Sequence, residues 1–266
     1  MATIRQQKNK EIVFFHGKRK ILGNEIPTYV YLVDGLLIDT GPRRMSSFYR
    51  PKFSDKRIDQ VAITHHHEDH TGNAAFLAAR GIPVYIHTSA VNLTEKRAKI
   101  PFYRQVFWGE REPFPSLALE RSFQTTGGQQ VIVIETPGHT DDHVTFYLPE
   151  EGAIFTGDLF VSPKTKMGAT GENYWKWIRS LDALLEYDFD TIYCSHSGII
   201  SEGKAQVARK AELLKELRER VAELKQKGLG VKEINKSIFP KTLPIKYFSG
   251  GEWDSIHIIK SFMMGE

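Results

Sequence analysis

The stretch Val61-Ala-Ile-Thr-His-His-His-Glu-Asp-His70 carries most of the information in this chain. It begins with apolar and β-branched residues, which are typical of a short buried strand, and this strand runs directly into a histidine cluster. Residues two apart in extended backbone face the same side, so His65 and His67 can bind one ion. Asp69 and His70 follow where the chain turns into a helix, and they can hold a neighbouring ion.

Three later residues have the same setting as this cluster. His139, Asp158 and His196 each stand just past an apolar segment that predicts a strand. Together with the cluster, they bring five imidazoles and two carboxylates to strand ends. These ligands suit Zn²⁺, and they suit iron or manganese less exclusively. The sequence therefore predicts a metal site built from strand ends.

The remaining pattern indicates a layered α/β fold, with Asp34-Gly35 as a two-residue hairpin turn. The predicted strands are 11–15, 29–33, 36–38, 61–64, 84–86, 130–134, 144–148, 153–155 and, as the final strand, 191–194. The predicted helices are 73–80, 175–185, 204–227 and 253–263. Residues 92–127 are rich in aromatic residues and prolines, and they predict either a lid or one amphipathic helix followed by a packed loop.

The motifs together resemble the metallo-β-lactamase fold superfamily over residues 11–200. The matching residues are His65-x-His67-x-Asp69-His70, Gly138-His139, Gly157-Asp158 and His196, with Leu37-Ile-Asp-Thr-Gly41 resembling the family's first motif. The resemblance implies an αβ/βα four-layer sandwich of two mixed β-sheets flanked by helices. We expect residues 1–200 to form the catalytic core and residues 201–266 a C-terminal helical extension packed on it, within one domain overall.

The resemblance also implies a role for each matching side chain. One metal ion is expected on His65, His67 and His139, and the other on Asp69, His70 and His196, with Asp158 bridging both. Asp39 is expected to orient a ligand imidazole through a hydrogen bond. His143 is expected to have a structural or supporting role rather than to bind metal.

This site predicts a dinuclear hydrolase with two zinc ions, iron or manganese being compatible alternatives. A bridging hydroxide would attack a small ester, lactone or thioester, and Asp69 would orient it and relay a proton. Alternatives on the same scaffold are a mononuclear iron oxygenase that uses His65, His139 and Asp158, and a metal-dependent nuclease. A structural protein with decayed ligands is disfavoured because every motif ligand is intact.

The chain departs from the signatures of individual subfamilies. Asp158 is followed by Leu-Phe-Val-Ser-Pro, not by the Gly-Cys-Gly-Arg stretch usual in glyoxalase-type thioesterases and persulfide dioxygenases. Lactonases that act on acyl-homoserine lactones often place a tyrosine where this chain has Val161. Tyr174 is a candidate to supply that hydroxyl from another direction. No subfamily is assigned.

Composition adds limits of its own. The chain has 266 residues, a formal net charge of +4 and one cysteine, so it lacks the cysteine pairs of a disulfide-stapled secreted protein. Its first ten residues lack the apolar core of a signal peptide, and no apolar run reaches the length of a membrane span. We expect a cytoplasmic enzyme with a small-molecule substrate and no membrane association. Nucleic acid is a disfavoured partner because the basic residues of 204–220 are balanced by acidic ones, and a homo-oligomer is compatible with the sequence.

The side chains outside the ligand set have simpler interpretations. His66 alternates away from its neighbours and should point elsewhere. Cys194 is interpreted as a small buried apolar residue rather than as a zinc ligand. The remaining histidines, which we assign to the surface or the core, are His16, His87 and His257.

Overall fold

The computed structural model describes residues 2–7, 10–21 and 24–265, and it divides the chain into two compact units. The first unit comprises residues 1–135, 142–161 and 188–203, and the second comprises residues 136–141, 162–187 and 204–266. The units therefore interleave along the chain. The predicted boundary at residue 200, with an extension packed on a core, stays a prediction.

The first unit contains a seven-stranded mixed sheet with the strands in chain order. The strands are β1 (Ala2–Gln7), β2 (Lys10–Ile21), β3 (Asn24–Val33), β4 (Leu36–Ile38), β5 (Gln60–Ala62), β6 (Val84–Ile86) and β7 (Leu117–Ala118). β1 to β4 pair antiparallel, and β4 to β7 pair parallel. The hairpin predicted at Asp34-Gly35 joins β3 to β4.

The helices of the first unit are short. They are α1 (Ser46–Ser54), α2 (Glu68–Thr71), α3 (Ala74–Ala78), α4 (Val91–Thr94) and α5 (Phe102–Phe107). The helix predicted at 73–80 is confirmed as α3, which begins after Asn73.

The second sheet of the first unit is also mixed and has six strands. They are β8 (Ser122–Gln124), β9 (Gln130–Glu135), β10 (Val144–Leu148), β11 (Ala153–Gly157), β13 (Thr191–Cys194) and β14 (Gly198–Ile200), in the spatial order β14-β13-β11-β10-β9-β8. Only β11 and β13 pair parallel in this sheet.

Strand alternation gives the seven-stranded sheet two buried faces. On one face, Leu32 and Leu37 pack with Tyr49 of α1 and Leu77 of α3 in one apolar cluster. On the other face, residues of the first sheet share a second cluster with residues of the six-stranded sheet. Its members include Tyr31, Val33, Leu36, Ile38, Val144, Phe146, Phe155 and Tyr193. The first unit is therefore layered as helices, sheet and sheet.

The second unit is largely helical. Its elements are β12 (Gly168–Ala169), α6 (Tyr174–Leu184), α7 (Gly203–Gln226, beginning at the last residue of the first unit), α8 (Val231–Ile238), α9 (Ile245–Phe248), β15 (Trp253–Asp254) and α10 (Ile256–Met264). β12 pairs antiparallel with β15. The helix predicted at 204–227 corresponds to α7, and its apolar residues at helical spacing are buried: Val207, Ala211, Leu214, Val221 and Leu224.

Several elements differ from the sequence prediction. The strand at 191–194 is not the final one, because β14 and β15 follow it. These strands have three and two residues, too few to show a periodic pattern. Helices α8 and α9 were not predicted. Residues 92–127 contain α5 and two short strands, and Phe114 within them is buried.

Among the residues that the structure describes, no helix is long and apolar enough to cross a membrane.

Candidate metal centre

The predicted metal-site residues of the first unit follow pairs of parallel strands. Asp39 comes directly after β4, and the histidine cluster begins three residues after β5, its parallel neighbour. Asp158 comes directly after β11, and His196 lies two residues beyond β13, which pairs parallel with β11. Parallel neighbours end at the same sheet edge, which is where α/β folds place their sites. This topology explains why residues far apart in sequence lie close together.

Four side chains converge within the first unit. Each of Asp69, His70, Asp158 and His196 offers one ligand atom, and these atoms all lie within 4.8 Å of one another. Nε2 of His196 is 3.3 Å from both Asp69 Oδ2 and Asp158 Oδ1. Two imidazoles and two carboxylates in this arrangement form a donor set that suits a divalent cation.

The buried Nε2 atom of His70 supports this assignment. It makes no hydrogen bond of ordinary geometry, although Asp158 Oδ1 lies 3.3 Å away. A buried polar nitrogen without such a bond is costly unless another partner satisfies it. A cation in the cluster would be such a partner.

The electrostatics of the cluster also favour positive charge. Burial alone would raise the pKa of Asp158, but His196 and His70 hold it well below its usual range. Burial alone would lower the pKa of His196 and of His70, but the neighbouring carboxylates raise both well above the usual range. The imidazoles and the carboxylates thus stabilise each other's charged forms, and a bound metal ion would take the place of the protons on the imidazoles.

Asp39 holds the other side of the His70 ring. Its Oδ2 lies 2.7 Å from His70 Nδ1, and the carboxylate also accepts hydrogen bonds from Thr64 N, Thr64 Oγ1 and Ser195 Oγ. Asp39 has a φ of +59°, a conformation that is uncommon for residues other than glycine and that often marks functional sites. The expected contact between Asp39 and a ligand imidazole is therefore present at His70.

His65 and His67 also lie side by side in the first unit, as their spacing predicts. His65 Nε2 is 3.0 Å from His67 Nδ1. The third member of their expected ligand set, His139, lies in the second unit. The three-histidine set stays a prediction.

His143 supports the backbone beside Asp158. Its Nε2 accepts a hydrogen bond from Asp158 N at 3.2 Å. Gly157 allows this approach, because its φ is +47° and a Cβ there would lie 2.8 Å from His143 Nε2. The geometry agrees with the supporting role expected for this histidine.

His66 and Cys194 have structural contacts in the first unit. His66 Nδ1 lies 2.8 Å from Asp142 Oδ1, and its backbone N–H donates to Asp142 Oδ2. The buried Cys194 sulfur accepts hydrogen bonds from the backbone N–H groups of His196 and Ser197, at 3.4 and 3.3 Å. Burial raises the pKa of this thiol. The interpretation that neither side chain binds metal stays a prediction.

A buried ion pair next to the ligands was not predicted. Arg104 of α5 donates to both carboxylate oxygens of Glu68, at 2.6 and 2.8 Å. Burial raises the pKa of Glu68, and Arg104 opposes that shift. Glu68 stands between two predicted ligands, so the pair connects α5 to the histidine loop. Trp108, which follows α5, has its ring 6.0 Å from the His196 ring.

In the second unit, the carboxylate of Glu172 contacts His139, a contact that the sequence analysis missed. The distance from His139 Nδ1 to Glu172 Oε1 is 2.8 Å. Tyr174 donates its hydroxyl to Glu172 Oε2 and is buried, and this contact does not support the idea that it supplies a hydroxyl to a substrate. Glu172 is separated from His139 by 33 residues, so no local motif identifies it.

The sequence model of the metallo-beta-lactamase superfamily matches residues 23–196, well over half of the chain. A hydroxyacylglutathione hydrolase of Rhizobium meliloti is 30% identical over 175 residues, which are 64% of this chain and 60% of that protein. An atrochrysone carboxyl ACP thioesterase of Claviceps purpurea is 25% identical over 70% of this chain and 56% of that protein. The chain thus spans a little over half the length of these curated relatives.

Solved structures extend the likeness to nearly the whole chain. A metallo-beta-lactamase family protein from Thermus thermophilus superposes with a TM-score of 0.67, at 19% identity, over 94% of this chain and 93% of that chain. This likeness confirms the predicted fold class.

Proposed function

This chain belongs to the metallo-beta-lactamase superfamily, and on that premise we propose that it is a dinuclear metal-dependent hydrolase of small thioesters, esters or lactones. One observation in the structure carries the proposal: Asp69, His70, Asp158 and His196 converge in the first unit. Their side chains are mostly buried, and two carboxylates and two imidazoles in so tight a group form a donor set that suits a divalent cation.

The proposed ligand sets follow the family motifs. By that pattern, His65, His67 and His139 would hold one ion, and Asp69, His70 and His196 would hold the other. Asp158 would be the carboxylate shared between them. We propose zinc as the metal, because imidazole and carboxylate ligands suit it, with iron or manganese as the alternatives.

When bound, two such ions activate water for attack and stabilise the negative charge that develops on the substrate. The residues of the chain direct the rest of the reaction. The carboxylate of Asp69 is 8% exposed and lies next to His196, so it can accept a proton from the attacking water and pass it to the leaving group. Water adds to the acyl carbon, the bond to sulfur or oxygen breaks, and the leaving group departs as a thiol or an alcohol.

Thioesters are the substrates to test first. Both relatives described above carry names that refer to thioester hydrolysis, acting on a glutathione adduct in one case and on an acyl carrier protein in the other. The absence of the Gly-Cys-Gly-Arg stretch after Asp158 argues against the glutathione thioester itself. Acyl thioesters with other thiol carriers remain the class that these observations favour.

The test combines metal analysis with a substrate panel. We expect about two metal ions per chain in the purified protein, and turnover of at least one member of a panel of acyl thioesters, aryl esters and lactones. Replacing Asp158 with alanine should lower turnover by about 10³-fold or more, since it removes a ligand shared by both ions.

Asp55→Ala is the matched control, because Asp55 is an exposed aspartate at the end of α1. It should leave metal content and turnover unchanged. Full turnover by the metal-stripped protein, or by the Asp158→Ala variant, would refute the proposal.

A further inference from the structure

We infer that Glu172, supported by Tyr174, is a positioning residue that fixes which nitrogen of His139 is available to a metal ion. This inference rests on the proposed function, because it takes His139 to be a metal ligand. It concerns only residues of the second unit.

The hydrogen bonds of Glu172 determine where the proton on His139 resides. Glu172 Oε2 accepts hydrogen bonds from Ala169 N at 2.9 Å and from Tyr174 Oη at 2.8 Å, so both of these donors are used at that one oxygen. Glu172 Oε1 lies 2.8 Å from His139 Nδ1. Oε1 therefore faces the ring with its lone pairs, and a carboxylate oxygen accepts, so the inferred tautomer of His139 has its hydrogen on Nδ1 and its lone pair on Nε2. The contact thus selects Nε2 as the ligand atom.

Burial makes this arrangement persistent. Glu172 is 8% exposed, Tyr174 is 1% exposed and His139 is 7% exposed. A buried carboxylate needs hydrogen-bond donors, and here three donors come from three different residues. Because the three bonds share one carboxylate, the orientation of the His139 ring depends on the whole set.

The backbone of the His139 loop is held by the same helix that follows Glu172. Asn173 N donates to Gly138 O at 2.8 Å, and Ser180 Oγ donates to Pro137 O at 2.7 Å. Gly138 has a φ of +148°, and a Cβ there would lie 2.7 Å from Trp177 Cα. The loop therefore packs closely on α6 and needs glycine at this position. Both the backbone and the ring of His139 are therefore held by α6 and the two residues that precede it.

A direct test is the tautomer of His139 in the metal-free protein. Imidazole ¹⁵N NMR on the chelator-treated full chain should show His139 with its hydrogen on Nδ1. Glu172→Gln is close to isosteric but replaces the charged acceptor with an amide that can also donate. It should shift the His139 signals toward the other tautomer. A wild-type ring with its hydrogen on Nε2 would overturn the inference.

A second test measures affinity for the metal. Zn²⁺ is titrated into the metal-free protein against a chromogenic chelator, which gives the number of ions and the affinity of each. Glu172→Gln should lower the affinity for one ion by about 10–100-fold and leave the affinity for the other close to that of the wild type. Tyr174→Phe should weaken the same ion by a smaller factor, because the carboxylate remains.

Glu186→Gln is the matched control, since Glu186 is exposed and lies just beyond the opposite end of α6. It should match the wild type in both assays. Circular dichroism of each metal-free variant separates a local effect from unfolding. Two ions bound with unchanged affinity by a folded Glu172→Gln protein would overturn the inference. A wild-type protein that binds no second ion would instead refute the dinuclear proposal, and the tautomer assay would still test Glu172.

Discussion

Two histidines in different units of this protein each have their Nδ1 atom next to a buried carboxylate. In the first unit, His70 Nδ1 lies 2.7 Å from Asp39, and in the second unit His139 Nδ1 lies 2.8 Å from Glu172. Both carboxylates are buried, and both accept further hydrogen bonds from backbone N–H and hydroxyl groups. The carboxylates reach their histidines by different routes, however.

Asp39 reaches its histidine through the sheet, whereas Glu172 does so through a loop. Asp39 follows β4, and its partner belongs to the cluster after the neighbouring parallel strand β5. Glu172 lies in an irregular segment between β12 and α6. The comparison teaches that a buried, hydrogen-bonded carboxylate can hold a histidine ring whether it follows a strand or lies in a loop.

The sharpest test of this comparison removes the negative charge of the carboxylate from each carboxylate–histidine contact. Asp39→Asn suits the first unit because asparagine tolerates a positive φ and so preserves the backbone. Its amide group would meet donors from Thr64, Ser195 and His70, so we expect metal affinity to fall by about 10–100-fold. The free energy of unfolding should also fall by about 1–3 kcal/mol, because one buried hydrogen-bond donor loses its acceptor.

The combined variant shows whether the two carboxylate–histidine contacts serve separate ions. If Asp39 acts on one ion and Glu172 on the other, each single variant lowers the affinity for a different ion in a chelator titration. The double variant then lowers the affinity for both. The losses in metal-binding free energy of the two single variants should then simply add in the double variant. A double variant no weaker than Asp39→Asn alone would show that the two carboxylates do not act independently.

The sequence was sufficient to predict the side chains of the candidate site that stand at the ends of strands. Each of Asp158 and His196 follows a strand with a clear apolar pattern, and the spacing of His65 and His67 is a local signal. The Asp39 contact followed from the resemblance of its motif. These features need only local patterns and the rule that parallel neighbours end at one edge.

The sequence was insufficient where the structure depends on distant contacts. The contact of Glu172 with His139 spans 33 residues, and no periodic pattern surrounds it. Arg104 is 36 residues from Glu68, in a segment where aromatic residues and prolines obscured the short helix α5. A two-residue strand such as β15 owes its existence to its partner β12 and not to its own residues.

A second test concerns how each histidine loop is fastened. The loop of the first unit has a buried ion pair, with side chains of Arg104 and Glu68 that are 16% and 2% exposed. The loop of the second unit relies on hydrogen bonds such as that from Asn173 N to Gly138 O. Arg104→Met leaves the Glu68 charge buried without its ion-pair partner, so the free energy of unfolding should fall by about 3–5 kcal/mol.

Urea denaturation of the metal-free protein measures this loss. The double variant Glu68→Leu/Arg104→Met should recover most of it, because no charge then remains to be desolvated. A double variant as unstable as Arg104→Met would mean that the pair stabilises the loop through side-chain packing. The two loops would then differ less in how they are stabilised than their contacts suggest.

The smallest expected effect is at Cys194, which lies next to the predicted ligand His196 and is itself predicted not to bind metal. Its sulfur accepts hydrogen bonds from the N–H groups of His196 and Ser197, so we expect it to shape the turn that presents His196 and not to bind the metal. Cys194→Ala should keep two ions per chain and lose about 1 kcal/mol of stability, and Cys194→Ser should restore an acceptor. A thiolate-to-metal absorption band in the cobalt-loaded wild type, lost in Cys194→Ala, would instead make the cysteine a ligand. In that case the first unit would hold its ion with a thiolate, and the parallel with the carboxylate-supported histidine of the second unit would fail.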